Sequence, residues 1–269
     1  MSSSNRVDFL RSNRALSELD FFNLLQETGK YKKRSEITHD TVHKPLLSQL
    51  PATQIRCLLL GDSMLERFIT TGKHTKLGQL AFPNLLNAGV GGDRIQNVVY
   101  RLGTKDLFSG LKQRGVKLTI LHMGTNNLRR NRGLTGGEIE EYAMVLEALT
   151  RAAPGIVVFV TGIMPRADIG SNFVNQSNTD LRQLVQDFNA IGESTQGMPC
   201  LNSPHIPMLH CTSKIRWWSC LQTFPVHYVP PSPGINLDKL VDHVHLNEEG
   251  YALFAQSLLE KMDELGLGL

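Results

Sequence analysis

Ile55-Arg56-Cys57-Leu58-Leu59-Leu60-Gly61-Asp62-Ser63 is the stretch on which the fold turns. Its apolar run is short and stops at a glycine, the pattern of a strand buried on both faces. Val116 to Met123 repeats it before Gly124, and Ile156 to Thr161 repeats it before Gly162. Leu85 to Ala88 is a shorter candidate, and His227 to Val229 a fifth, ahead of Pro230-Pro231. Between these runs the apolar residues recur at helical spacing. Ile95, Val98, Val99 and Leu102 form one stripe, and Ile139, Tyr142, Ala143, Leu146 and Leu149 a second. Leu181, Leu184, Val185, Phe188 and Ile191 form a third, and Tyr251, Phe254, Ala255, Leu258, Leu259 and Met262 a fourth. Each stripe gives a helix one apolar face. Asn247 stands where an N-cap of the last helix belongs. Strands alternating with helices predict an α/β chain with a parallel sheet covered on both faces. Ligands bind such sheets at the carboxyl ends of the strands, so the loops after residues 60, 88, 123, 162 and 229 are the ones to inspect.

The bulk properties are those of a globular protein, with 41% hydrophobic and 20% charged residues in 269. A net charge of +3 is too small to argue for a nucleic-acid partner. The strongest basic run, Lys32-Lys33-Arg34, reads as a solvated surface turn. Four cysteines stand at 57, 200, 211 and 220, without a CxxC pair, so neither a disulfide framework nor a zinc site is expected. His205 and His210 lie among the last three, which leaves a metal cluster there as an alternative. The first residues lack the apolar core of a secretory signal, and no run approaches the roughly 20 apolar residues of a membrane span. A cytoplasmic protein is the default expectation. Residues 1–52 read as a polar N-terminal extension, partly disordered or helical, with one apolar patch from Leu16 to Leu25. Residues 53–269 read as the α/β domain, interrupted by an irregular insert at about 192–226 that carries Trp217-Trp218.

Chemistry-bearing residues gather at the strand ends. Ser63 follows the first strand, where its N–H would open a helix and face a developing anion. Gly89-Val90-Gly91-Gly92-Asp93 follows the second and allows close backbone approach to a ligand. It lacks G-x-G-x-x-G spacing, which counts against a nucleotide or flavin site. Asn126 and Asn127 follow the third strand, and a side-chain amide can donate to an oxyanion without carrying charge. Asp242-His243-Val244-His245 precedes the last helix. A carboxylate three residues from an imidazole can hold one tautomer and stabilise its protonated form, and His243 competes with His245 for that role. Together these residues supply a nucleophile, a base, an orienting acid and three oxyanion donors.

Gly61-Asp62-Ser63, Gly91-Gly92-Asp93, Gly124-Thr125-Asn126-Asn127 and Asp242-x-x-His245 resemble, in order, the four blocks of the SGNH (GDSL-like) hydrolases. The resemblance covers about residues 55 to 262. Within the family the blocks, with Pro165-Arg166 after the fourth strand, are most similar to the intracellular platelet-activating factor acetylhydrolase type. It implies a three-layer α/β/α sandwich, flavodoxin-like, with a parallel sheet of about five strands. It implies Ser63 as nucleophile, His245 as general base oriented by Asp242, and an oxyanion hole of the Ser63 N–H, the Gly92 N–H and the Asn126 side chain. No metal or organic cofactor is implied. The expected activity is hydrolysis of a carboxylic ester, acetyl or short-acyl, in a small-molecule, carbohydrate or lipid substrate. The alternative is a binding or scaffold protein on the same fold, distinguished by a Ser63 unreactive toward a fluorophosphonate. Arg94, Arg129, Arg130 and Arg166 stand in or after the site loops, either to attract an anionic substrate or as ordinary surface arginines. Homo-oligomerisation is left open.

Overall fold

The computed structural model describes residues 3–49, 55–79, 84–112, 114–194 and 226–267. The five apolar runs form strands β1 (Cys57–Gly61), β2 (Leu85–Gly89), β3 (Leu118–His122), β4 (Val157–Thr161) and β5 (Val226–Val229). Ahead of the sheet come α1 (Ser3–Ala15), α2 (Glu18–Thr28), α3 (Lys33–Thr38) and α4 (Lys44–Gln49), with a π-helical turn at His39–His43. Then follow α5 (Ser63–Glu66), α6 (Ile95–Gly103), α7 (Leu107–Lys112), α8 (Gly136–Ala152), α9 (Ser171–Ser194) and α10 (Glu248–Glu264).

All strand pairs are parallel, in the order β2-β1-β3-β4-β5. This is the flavodoxin-like doubly wound order, whose ligand crevice opens at the switch between β1 and β3. Side chains alternate across the sheet. Leu58 and Leu60 of β1 join Leu121, Val158 and Val160 in one apolar cluster with residues of α6, α8 and α9. Cys57 and Leu59 join Ile120 and Phe159 in a second, with residues of α5 and α10. Burial pushes the Cys57 thiol up to about 12, so it is a packing residue and not a reactive one.

The segment before the sheet is mostly helical between residues 3 and 49, and its first two helices lie on the α/β core. Helix α1 packs on α8 and α9, and α2 packs on α6. The apolar patch read from Leu16 to Leu25 makes this contact: Phe21 and Leu25 are fully buried in the first cluster. Arg151 of α8 lies 4.4 Å above the Phe21 ring and donates to the Asn13 and Leu16 carbonyls. Of the irregular insert expected at about 192–226, residues 192–194 belong to α9 and Val226 opens β5, and residues 195–225 lie outside the described residues. Cys200, Cys211, Cys220, His205, His210, Trp217 and Trp218 lie outside the described residues. Among the described residues no helix is long and apolar enough to cross a membrane.

If α2 is as much a part of the core as this packing implies, Phe21→Ala should destabilise the protein by about 3–5 kcal/mol. A denaturant midpoint with unchanged slope measures it. A midpoint equal to that of the native protein would mean that α2 is not docked.

Candidate active site

Strand β1 ends at Gly61, where the chain passes so close to β3 that a Cβ would stand 1.8 Å from the His122 carbonyl oxygen. Only glycine fits there. Asp62 then N-caps α5, its Oδ1 accepting the Met64 N–H at 3.0 Å. Ser63 is thereby the first residue of a helix at the carboxyl edge of the sheet, and 7% of it is exposed.

The turn before α10 is folded around its own aspartate. Asp242 Oδ1 accepts the Val244 and His245 N–H groups, each at 2.8 Å. Asp242 Oδ2 stands 2.7 Å from His245 Nδ1. Burial pushes the Asp242 carboxyl up, but the hydrogen bonds from the His245 ring and the two amides outweigh it and hold the group below the usual carboxylate range. The turn is closed by a bridge between Leu240 and Leu246 and anchored by buried Val244 and Leu246. His245 Nε2 lies 3.0 Å from Ser63 Oγ. His243 is 60% exposed in its side chain and faces Asp168 at 4.0 Å.

Gly92 and Asn126 converge on the same edge. Gly92 has φ +74°, is exposed, and lines a groove of about 560 Å³ with Ser63 and His245. Asn126 is half-buried, and its Nδ2 donates to the Asp93 carbonyl at 2.9 Å, which leaves its second N–H for another acceptor. Asn127, beside it, points inward instead. Its Oδ1 caps α6 by accepting the Ile95 N–H, and its Nδ2 reaches Gln96 and Glu138. Arg166 is engaged in fixing the same loop, through the Thr125 carbonyl at 2.6 Å and Asp168 at 2.7 Å. His122, under the loop, is held neutral by burial, which pushes its ring down to about 4, and it meets the Thr161 and Thr125 hydroxyls.

Three residues that carry this geometry are not evident in the sequence pattern. Arg101 is fully buried and pairs with Asp93 at 3.1 Å while donating to the Ala88 and Gly61 carbonyls. Lys32 corrects the reading of its basic run as a solvated turn: its Nζ donates to the Gly91 carbonyl at 2.8 Å and pairs with Asp93 at 3.2 Å. Arg34 of the same run pairs with Glu66 at 2.9 Å, and the Ser35 hydroxyl donates to Asp93. Asp62 is the third. Its Oδ2 is buried without a hydrogen-bond partner, and burial pushes the carboxyl up to about 7 against the pull of the Met64 N–H and the Thr125 hydroxyl. Among the described residues no group of three or more His, Cys, Asp and Glu side chains is arranged to hold a metal ion.

The Asp62 carboxyl, raised from 3.8 to about 7, binds a proton in the folded state that the unfolded chain releases near pH 4. Its contribution to stability is therefore present at low pH and lost as pH rises toward and through 7. Asp62→Asn keeps the acceptor for Met64, so it should raise stability at pH 8 and change it much less at pH 5. The difference between the two pH values is roughly 3 kcal/mol, since about two units lie between pH 5 and the raised value of about 7 and each is worth about 1.4 kcal/mol. Denaturant midpoints of both proteins at the two pH values test it, and equal shifts at both would show that Asp62 does not titrate in this range.

Residues 59–253 match the GDSL-like lipase/acylhydrolase family. Of curated proteins, the human platelet-activating factor acetylhydrolase IB subunit alpha2 is 28% identical over 131 residues, 48% of this chain. That match covers 52% of the relative, so the chain spans about half the length of the curated relatives it matches. Among solved structures, a Bacteroides fragilis protein assigned as an acylhydrolase superposes with a TM-score of 0.55 at 14% identity, covering 87% of this chain and 99% of the other. A carbohydrate esterase family 3 protein from Talaromyces cellulolyticus gives 0.51 at 17% identity, covering 78% and 97%. At these identities the likeness to the solved structures is one of fold. With the family match extending over most of the chain, from the first strand into the last helix, the chain belongs to the GDSL-like lipase/acylhydrolase family.

Proposed function

We propose that this protein is a serine esterase that hydrolyses an acetyl or short-acyl ester through an acyl-enzyme on Ser63. The observation that carries the reading is the unbroken path from Ser63 Oγ to His245 Nε2 at 3.0 Å, and from His245 Nδ1 to Asp242 Oδ2 at 2.7 Å. Ser63 Oγ attacks the ester carbonyl carbon as its proton passes to His245 Nε2. The carbonyl oxygen takes the negative charge and is met by the N–H groups of Ser63 and Gly92 and by the Asn126 amide. When the tetrahedral intermediate collapses, the alcohol leaves with the proton from His245. A water molecule, deprotonated by the same ring, then attacks the acyl-serine and returns the hydroxyl. Asp242 holds the ring with Nδ1 protonated and offsets the charge it acquires, without itself taking the proton. Protein groups handle every proton and charge in this cycle, so it calls for no metal or organic cofactor. The short acyl group is supported by the acetylhydrolase relative, whose name specifies an acetyl ester.

The test is hydrolysis of p-nitrophenyl acetate, butyrate and octanoate by the native protein, Ser63→Ala and His245→Ala. Each variant should lose at least roughly a thousandfold in kcat while remaining folded. A Ser63→Ala protein as fast as the native one would end the acyl-enzyme reading. Asn126→Ala, which removes one oxyanion donor, is expected to lower kcat by roughly 10²–10³-fold with a small change in KM. A rise in KM alone would instead place Asn126 in ground-state binding. Preference for acetate over octanoate tests the short-acyl part.

A further inference from the structure

Beside the Ser63 groove, on the other side of Gly92, lies a second cleft of about 550 Å³. Gly92 is common to both clefts, and the Lys32 Nζ stands over it, 3.0 Å from where a Cβ on that glycine would be. The second cleft is walled by cations: Lys30, Lys32, Arg94, Arg129 and Arg132. Two of these have a carboxylate partner, Lys32 in Asp93, which Arg101 shares, and Arg132 in Glu138 at 2.8 Å. Among the described residues Lys30, Arg94 and Arg129 form no ion pair. Lys30 does act on Glu141, but burial pushes that carboxyl up to about 7 in spite of the lysine, so at neutral pH a large share of it carries no charge.

Three uncompensated cations that face one concavity repel one another, and an anion relieves that repulsion. Arginine forks suit the paired oxygens of a phosphate or carboxylate. The rest of the wall is polar, with Glu138 committed to Arg132, the Gln96 and Asn97 amides donating to Glu141 and the Lys30 carbonyl, and one exposed ring, Tyr31; no aliphatic side chain is there to receive an acyl chain. The cleft is built jointly. Lys30 and Lys32 come from the link after α2, Arg94 from the start of α6, and Arg129 from the turn after β3. We propose that this cleft is a binding site for an oxyanion, phosphate or carboxylate, on the alcohol side of a small soluble ester whose carbonyl sits at Ser63. The inference rests on the esterase reading and names its substrate class. Substrate then lies across Gly92, with its carbonyl on one side and its anion on the other.

Three matched acetate esters test this at 150 mM salt: 4-acetoxybenzamide, 4-acetoxybenzoate and 4-acetoxyphenyl phosphate. The preference is read as the ratio of kcat/KM, anionic to neutral, within each protein, so that losses from folding cancel. The native enzyme should favour at least one anionic ester by tenfold or more, through KM. In Lys30→Gln/Arg129→Gln, and separately in Arg94→Gln, the ratio should fall toward one. A native ratio below twofold, or one unchanged in both variants, overturns the proposal while leaving the esterase intact. If every ester is inert, the esterase reading fails, and calorimetric titration with phenyl phosphate decides the cleft alone. Binding that the double variant loses upholds the anion site, and no binding overturns it. Adsorption to phosphatidylglycerol vesicles without any discrimination among the soluble esters would assign the cations to a lipid surface and overturn the small-molecule reading.

Discussion

The buried guanidinium of Arg101 holds the carboxyl edge of the sheet together around Ser63. It pairs with Asp93, which belongs to the glycine loop after β2, and it donates to the carbonyls of Gly61 and Ala88 at the ends of β1 and β2. A charge with no exposure is costly to keep in a fold unless its donors are filled and a counter-charge is near. Burial pulls the Arg101 guanidinium down from its usual range, and Asp93 opposes that pull. The pair therefore commits β1, β2 and the glycine loop after β2 to one relative position. Asn126 donates to the Asp93 backbone, so the loop after β3 is registered against the same point.

The turn from Asp242 to His245 is independent of that network until it meets Ser63. Asp242 satisfies two backbone amides and one imidazole nitrogen within four residues, so the geometry of the His245 ring is set locally. Buried Val244 and Leu246 flank it and orient the turn toward the sheet. Tyr251, on the first turn of α10, donates its hydroxyl to the Met64 carbonyl at 3.0 Å and so links the two halves of the site through the second core. The serine side is thus positioned by long-range packing, and the histidine side by a short loop.

The N-terminal helices are joined to this edge as well as to the core. Lys32 and Ser35 both reach Asp93, and Arg34 reaches Glu66 of the helix that Ser63 begins. A segment with the composition of a surface extension therefore supplies contacts to the loop that carries Gly92. Strain or motion in α2 and α3 has a direct physical route to that loop.

The sequence by itself determined the strands, the helices α6, α8, α9 and α10, the parallel architecture and the residues standing at each strand end. Those features are written in local periodicity and in glycines that stop apolar runs, and both are properties of neighbouring residues. The Asp242 to His245 pairing was legible for the same reason, because three residues of separation suffice to build it. Only the tertiary structure decided that Arg101, which lies off the apolar stripe of its own helix, is buried. It alone placed Lys32 on the Gly91 carbonyl, some sixty residues away in the chain, left Asp62 without a partner for one oxygen, and turned His243 toward Asp168. A charged residue has no signature in sequence that distinguishes burial beside a distant counter-charge from exposure to water. The free energy of each state depends on what the fold brings within a few ångströms of it.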